Sequence, residues 1–153
     1  MQTTNTIGYL LQHVAFQMAK QSDQVLQEQL GIGFSQFKIL RSLQAGPHVK
    51  QRVIAANLGQ TEASISRQVK LMIEQGLLRV TISPTNHREH LTVVTPKGMR
   101  LADAAMAVLA KYHTPTFAAL SDKQREQLIN ILGQLHGEVC PMKHADPVSI
   151  KTT

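Results

Sequence analysis

At 153 residues the chain has the length of one domain, large enough for a substantial hydrophobic core. Hydrophobic residues make up 42%, aromatics only 4%, and no apolar run approaches the roughly 20 residues that span a bilayer. The net charge is +6 and there is one cysteine, which excludes an internal disulfide framework and suits a reducing compartment. The opening residues, MQTTNTIGYLLQHV, lack the basic start and small-residue cleavage site of a secretory signal, so a cytoplasmic location is expected.

In chain order, Ile7 to about Leu30 reads as a long first helix, with Leu10, Leu11, Val14, Met18, Val25 and Leu26 supplying an apolar stripe. Gly31-Ile32-Gly33 breaks it. Ser35 to Gln44 forms a second helix with Phe37, Ile39, Leu40 and Leu43 for its core, ended by Ala45-Gly46-Pro47. Lys50 to Leu58 forms a short third, with Val53, Ile54, Ala55 and Leu58 inward and Gly59 as its stop.

The stretch from Gly59 to Leu78, GQTEASISRQVKLMIEQGLL, has a start signal, two faces and a stop. Thr61 suits an N-cap, because its hydroxyl can accept from a backbone N–H two or three residues on. Ile65, Val69, Met72, Ile73 and Gly76 fall together at helical spacing, and Gln60, Ala63, Arg67, Lys70 and Glu74 lie opposite, with Ser64 and Ser66 on the flanks. Small residues let a helix sit deep in a groove, hydroxyls reach phosphates or bases, and arginine pairs two-pronged with guanine. Two short helices joined through Leu58-Gly59-Gln60 have the spacing of a helix-turn-helix, whose second helix enters the major groove.

After Gly76 the period changes to that of strands. Leu77 to Ile82 and His90 to Thr95 read as a hairpin around a turn-rich tip, Ser83 to Arg88. A helix-turn-helix followed at once by a hairpin is a winged helix, and Arg88 at the tip is placed for a phosphate or the minor groove. Thr95 as N-cap with Pro96 next opens a long helix that runs to near Ala118, where Pro115 is expected to kink or divide it. Ser121 to Gln124 resembles a capping box and opens a last helix to Val139, with Leu128, Ile131, Leu132 and Leu135 on one face. The tail to Thr153 is expected to be loosely ordered.

Charge follows this layout. Phe34 to Arg100 contains ten lysines and arginines against three acids, while the remainder has six cations against seven acids. The whole basic surplus therefore lies in the middle of the chain, which points to a polyanion, most often nucleic acid. An anionic membrane is the weaker alternative, because it requires a basic helix with a large apolar outer face.

The order of Ser66-Arg67, Gln75-Gly76-Leu77-Leu78, the wing, and then Leu91-Thr92-Val93-Val94-Thr95-Pro96-Lys97-Gly98 closely resembles the MarR family of bacterial transcription regulators, over roughly Ile7 to Val139. The resemblance implies a mainly α fold with a small β-hairpin: a winged helix-turn-helix with amino- and carboxy-terminal dimerisation helices. It divides the chain into residues 1–33 and 99–140 for dimerisation, 34–98 as the DNA-binding lobe, and 141–153 as the tail. It implies a sequence-specific double-stranded-DNA-binding repressor, acting as a homodimer on a pseudo-palindromic operator and released by a small-molecule effector.

By position, Ser64, Ser66, Arg67 and Lys70 match recognition-helix residues that contact DNA, and Arg88 matches the wing-tip arginine. Thr61 and Ala63, at the start of the same helix, complete the expected DNA-facing set. The family wing usually reads Asp-x-Arg; here it is Asn86-His87-Arg88, so a turn bond can still form but the charge is missing, and a looser wing is expected. The implied effector pocket lies between the first two helices and the long helix after the wing, with His13, Phe16, Phe37, Met106 and Tyr112 as candidates, and Met18 and Ile39 beside them.

Other chemistries fit less well. Cys140 has no resolving partner, and the pairs Cys140/His144 and His87/His90 do not complete a ligand set, so neither a redox switch nor a metal site is expected. No cofactor is expected. With no phosphate loop, nucleophile motif or paired acids, catalysis is not expected either. The alternative function is a winged-helix protein-interaction module that does not read DNA.

Overall fold

A computed structural model describes residues 2–46, 49–88 and 90–139. Its elements are α1 (Gln2–Leu30), α2 (Phe34–Ala45), α3 (Gln51–Leu58), α4 (Glu62–Glu74), β1 (Leu78–Ile82), β2 (His90–Val94), α5 (Pro96–Ala118) and α6 (Asp122–Val139). The architecture is the expected one: mainly helical, with one antiparallel two-stranded hairpin.

Helix α4 forms where its capping chemistry says it should. Thr61 has extended backbone angles and its hydroxyl accepts from the Ser64 N–H at 3.1 Å. Glu62, exposed in the first turn, lies at the positive end of the helix dipole, which gives this acid a helix-stabilising role independent of any partner. Gly59 and Gly76 take left-handed angles (φ 62° and 73°) that end α3 and follow α4, a conformation other residues reach only at a cost.

One core holds the middle of the chain together. Ile39, Leu40 and Leu43 of α2, Ile54 and Ala55 of α3, and Ile65, Val69 and Met72 of α4 pack with Leu77, Leu78, Val94 and Ala102. A second cluster, Leu26, Ile32, Phe37 and Ala105, joins α1, α2 and α5, and Leu101 packs against both. Ser22 of α1, itself buried, hydrogen-bonds His113 Nε2 of α5 at 3.0 Å.

The hairpin pairs Leu78 with Val94 and Ile82 with His90. Leu78, Val80 and Ile82 share a face, yet only Leu78 is buried; Val80 and Ile82 are more than half exposed because the hairpin leaves the core as it extends. At its base the chain is locked. The Thr95 hydroxyl lies 2.7 Å from the Gly76 carbonyl and 3.1 Å from that of Leu77, and Lys97 Nζ donates to the Gln75 carbonyl at 2.8 Å. These bonds satisfy carbonyls that the end of α4 leaves open. Gly98 sits directly against the Leu77 carbonyl: a Cβ built there would overlap that oxygen and lie 2.8 Å from Val94 Cγ1.

One feature differs from the sequence-based expectation. Pro115 does not divide α5, which continues to Ala118. It lies in the last turn, where only one backbone bond to the preceding turn is lost and little helix remains to be disrupted. The apolar stripe of α1 is buried only at its carboxy-terminal end, at Val25 and Leu26, whereas Ile7, Leu10, Leu11 and Val14 are exposed. Helix α6 buries none of its residues, and Ile131, Leu132 and Leu135 face solvent in the single chain.

Two outcomes follow from these packing and capping contacts. Gly98→Ala is expected to lower unfolding stability by about 3 kcal/mol, because the added methyl meets backbone and cannot be accommodated by a side-chain turn. Thr61→Ala is expected to cost about 1 kcal/mol through loss of the α4 cap. Urea denaturation followed by circular dichroism measures both, and unchanged midpoints would contradict them.

Candidate nucleic-acid interface

The outer face of α4 carries most of the residues expected to meet DNA. Ile65, Val69 and Met72 are buried, which fixes the rotation of the helix and leaves Thr61, Ala63, Ser66, Arg67 and Lys70 exposed. Among the described residues, neither Arg67 nor Lys70 has a carboxylate partner; the ion pair found there joins Arg125 to Asp122. Two cations three residues apart on one helix face thus stand free for an anion.

Arg88 is exposed at the hairpin tip, and its N–H donates to Asn86 Oδ1 at 3.2 Å. Asn86 therefore makes the turn bond expected of it without the charge of an aspartate. The tip is further held by Ser83, fully buried, whose hydroxyl lies 3.2 Å from that of Thr85.

The remaining basic residues divide by environment. Arg52, Arg79 and Arg100 are exposed, and Lys97 is spent on the α4 carboxy-terminus. Lys38 lies over the Phe34 ring, 5.0 Å from its centroid, and burial holds its ammonium below the usual lysine range. It belongs to the packing of α2 more than to an open cationic surface.

Gln60 departs from the sequence picture, and Ser64 is bonded to it. Gln60 was expected on the outward face but is half-buried between α2 and α4. Its amide nitrogen donates to Ser35 Oγ at 2.7 Å, and its carbonyl accepts from Ser64 Oγ at 3.2 Å and Gln68 Nε2 at 2.8 Å. Gln68 Nε2 also lies 3.3 Å from Ser64 Oγ. Sequence reasoning missed Gln60, Gln68 and Ser35 as a group. The available signal was the spacing of four between Gln60, Ser64 and Gln68, which aligns polar side chains along one edge of a helix.

The effector candidates are not gathered into one chamber. His13 stacks on Tyr9 in the exposed half of α1, with ring centroids 5.6 Å apart, and Phe16 is exposed nearby in sequence on the same helix. Phe37 is buried in the second core cluster, and Ile39 in the first. Tyr112 is exposed and packs edge-on against His113. Met106 lines an open groove of about 480 Å³ with His113, Phe117 and Arg125. Among the described residues no group of three or more His, Cys, Asp or Glu side chains is placed to hold a metal, and no helix is long and apolar enough to cross a membrane. Cys140, His144 and the tail lie outside the described residues, as does His48.

Known proteins resemble this arrangement. A model of the MarR family matches residues 30–89, which hold α2 to the hairpin tip. A MarR-family transcriptional regulator from Rhodococcus sp. RHA1 superposes with a TM-score of 0.74 at 26% identity, covering 91% of this chain and 96% of that one. CouR from Rhodococcus jostii RHA1, in a crystal structure with p-coumaroyl-CoA, gives 0.74 at 25% identity, covering 92% and 96%. A Thauera aromatica protein assigned to transcriptional regulation of the hcr operon is 26% identical over 100 residues. That match takes in 65% of this chain and 60% of the relative's length. The family match over the helix-turn-helix, the first strand and the hairpin tip, with the shared fold over nine-tenths of the chain, makes this chain similar to the MarR family of transcriptional regulators.

Proposed function

We propose that the chain is a sequence-specific, double-stranded-DNA-binding repressor that acts as a homodimer and is released by a small-molecule effector. The observation that carries the reading is the outer face of α4, where Arg67 and Lys70 are exposed and without a carboxylate partner among the described residues, on a helix whose rotation is set by its buried side. Arg67 is the base-reading residue, since a guanidinium can pair two-pronged with guanine. Lys70, Ser66, Thr61 and Arg88 fix position on the backbone and in the adjacent minor groove, and Ala63 allows close approach.

A dimer is supported by exposed apolar side chains at both ends of the chain, Ile7, Leu10, Leu11 and Val14 of α1 with Ile131, Leu132 and Leu135 of α6. A two-fold pair places two copies of α4 in successive major grooves, about 34 Å apart along a near-palindromic site. An effector is supported by CouR, whose structure holds p-coumaroyl-CoA. A ligand that favours a spacing of the two reading helices unable to span both half-sites weakens DNA binding by shifting the population. Met106 at the open groove, with His13, Phe16, Phe37 and Tyr112, remains the starting set for locating it.

Selection of bound sequences from a random duplex pool tests DNA reading, symmetry and half-site spacing together. On the selected site, Arg67→Ala is expected to cost about 1–3 kcal/mol and to relax the preferred sequence. Arg88→Ala is expected to weaken binding more evenly across sequences and to reduce the salt slope by about one. Operator binding unchanged in both variants would overturn this docking. Binding to random duplex that is absent, or flat across a salt series, would favour the protein-interaction module. Leu132→Glu is expected to convert a dimer to monomer by sedimentation equilibrium, since an isolated carboxylate in an apolar interface carries a large desolvation cost.

A further inference from the structure

We propose that Gln60 is a specificity-positioning residue: it holds the reading helix α4 in register with α2 so that Arg67 meets a base edge. The inference rests on the DNA-binding reading above and adds to it a residue that touches no DNA.

Gln60 lies in the short link between α3 and the cap of α4. Its amide group bonds both Ser35, in the first turn of α2, and Ser64 and Gln68, one turn apart on α4. The carbonyl takes two donors and the nitrogen gives one; reversing the amide would set its nitrogen against that of Gln68, donor against donor. The start of α2 is itself anchored, since the Phe34 N–H donates to Asp23 Oδ1 of α1 at 2.8 Å. The position of α4 is thereby referred to α2 and, through α2, to α1.

The network also changes what Ser64 can do. A hydroxyl has one proton, and that of Ser64 is given to Gln60 Oε1. Phosphate oxygens only accept, so while the network is closed Ser64 has no proton to offer them. Its place is on the supporting edge of the helix, three residues from Arg67 and so one neighbour away on the helix surface.

Distance dependence turns this support into specificity. A charge near a phosphate loses energy slowly as the separation grows, in proportion to its inverse. A two-pronged arginine–guanine contact needs both donor–acceptor distances near 2.9 Å and good alignment. A small rotation or withdrawal of α4 therefore removes base reading and leaves backbone attraction almost intact.

The test uses the full chain and an operator selected with the wild-type protein. Gln60→Ala is expected to lower operator affinity by about tenfold, leaving random-duplex affinity and its salt slope unchanged. Ser35→Ala, which cuts the same link from α2, is expected to lower the operator-to-random ratio less. The double variant is expected to bind the operator within about twofold of Gln60→Ala alone, as two ends of one link do. If Gln60→Ala does not fold by circular dichroism, Ser35→Ala decides the matter alone. An unchanged operator-to-random ratio, an equal loss on both DNAs, or additive losses in the double variant would overturn the inference while the DNA-binding reading stands. If no sequence is enriched with the wild-type protein, the DNA-binding reading falls and this inference with it.

Discussion

The joint between the end of α4 and the start of α5 is the constraint on which the other features depend. Three consecutive carbonyls, from Gln75 to Leu77, receive Lys97 and Thr95, and Gly98 closes against the last of them. Helix α4, the base of the hairpin and the first turn of α5 meet at this point, so none can shift without breaking bonds to the others. The contact of Gly98 with the Leu77 carbonyl is made to backbone, which cannot turn aside as a side chain can. A shift of α5 would therefore strain its bonds to the end of α4 and the base of the hairpin. That is the property a regulator needs if events between α1 and α5 are to be felt at the outer face of α4.

The second fixed relation is polar. Apolar packing of Ile65, Val69 and Met72 determines which way α4 is turned, but hydrophobic contact is non-directional and tolerates small rotations. Hydrogen bonds from Gln60 to Ser35, Ser64 and Gln68 are directional and restrict that freedom. The helix thus has its burial determined by one kind of force and its alignment by another. The exposed cations are carried on a surface already defined before any partner arrives.

The two ends of the chain have a different character. Helix α6 buries no residue, and the first half of α1 displays its leucines to solvent. These faces have the periodicity of packed helices without a packing partner in the single chain, the feature that motivates the proposed second copy.

Much of this was legible from residue order. The caps at Thr61 and Thr95, the glycine stops at Gly59 and Gly76, and the change from helical to alternating spacing after Gly76 are local events, governed by torsion preferences and one-turn hydrogen bonds. They determined the elements and, with the basic surplus in the middle, the outward set Ala63, Arg67 and Lys70. The inward turn of Gln60, the commitment of the Ser64 proton, the close approach of Gly98 to Leu77 and the dispersal of Phe37 into the core were decided only by tertiary structure. Each depends on a partner 20 or more residues away or on the rotamer that such a partner imposes, and neither is encoded in local spacing. The same distinction accounts for Pro115: sequence marks the lost N–H, while its place in the final turn of a helix packed along its earlier length decides that the helix continues.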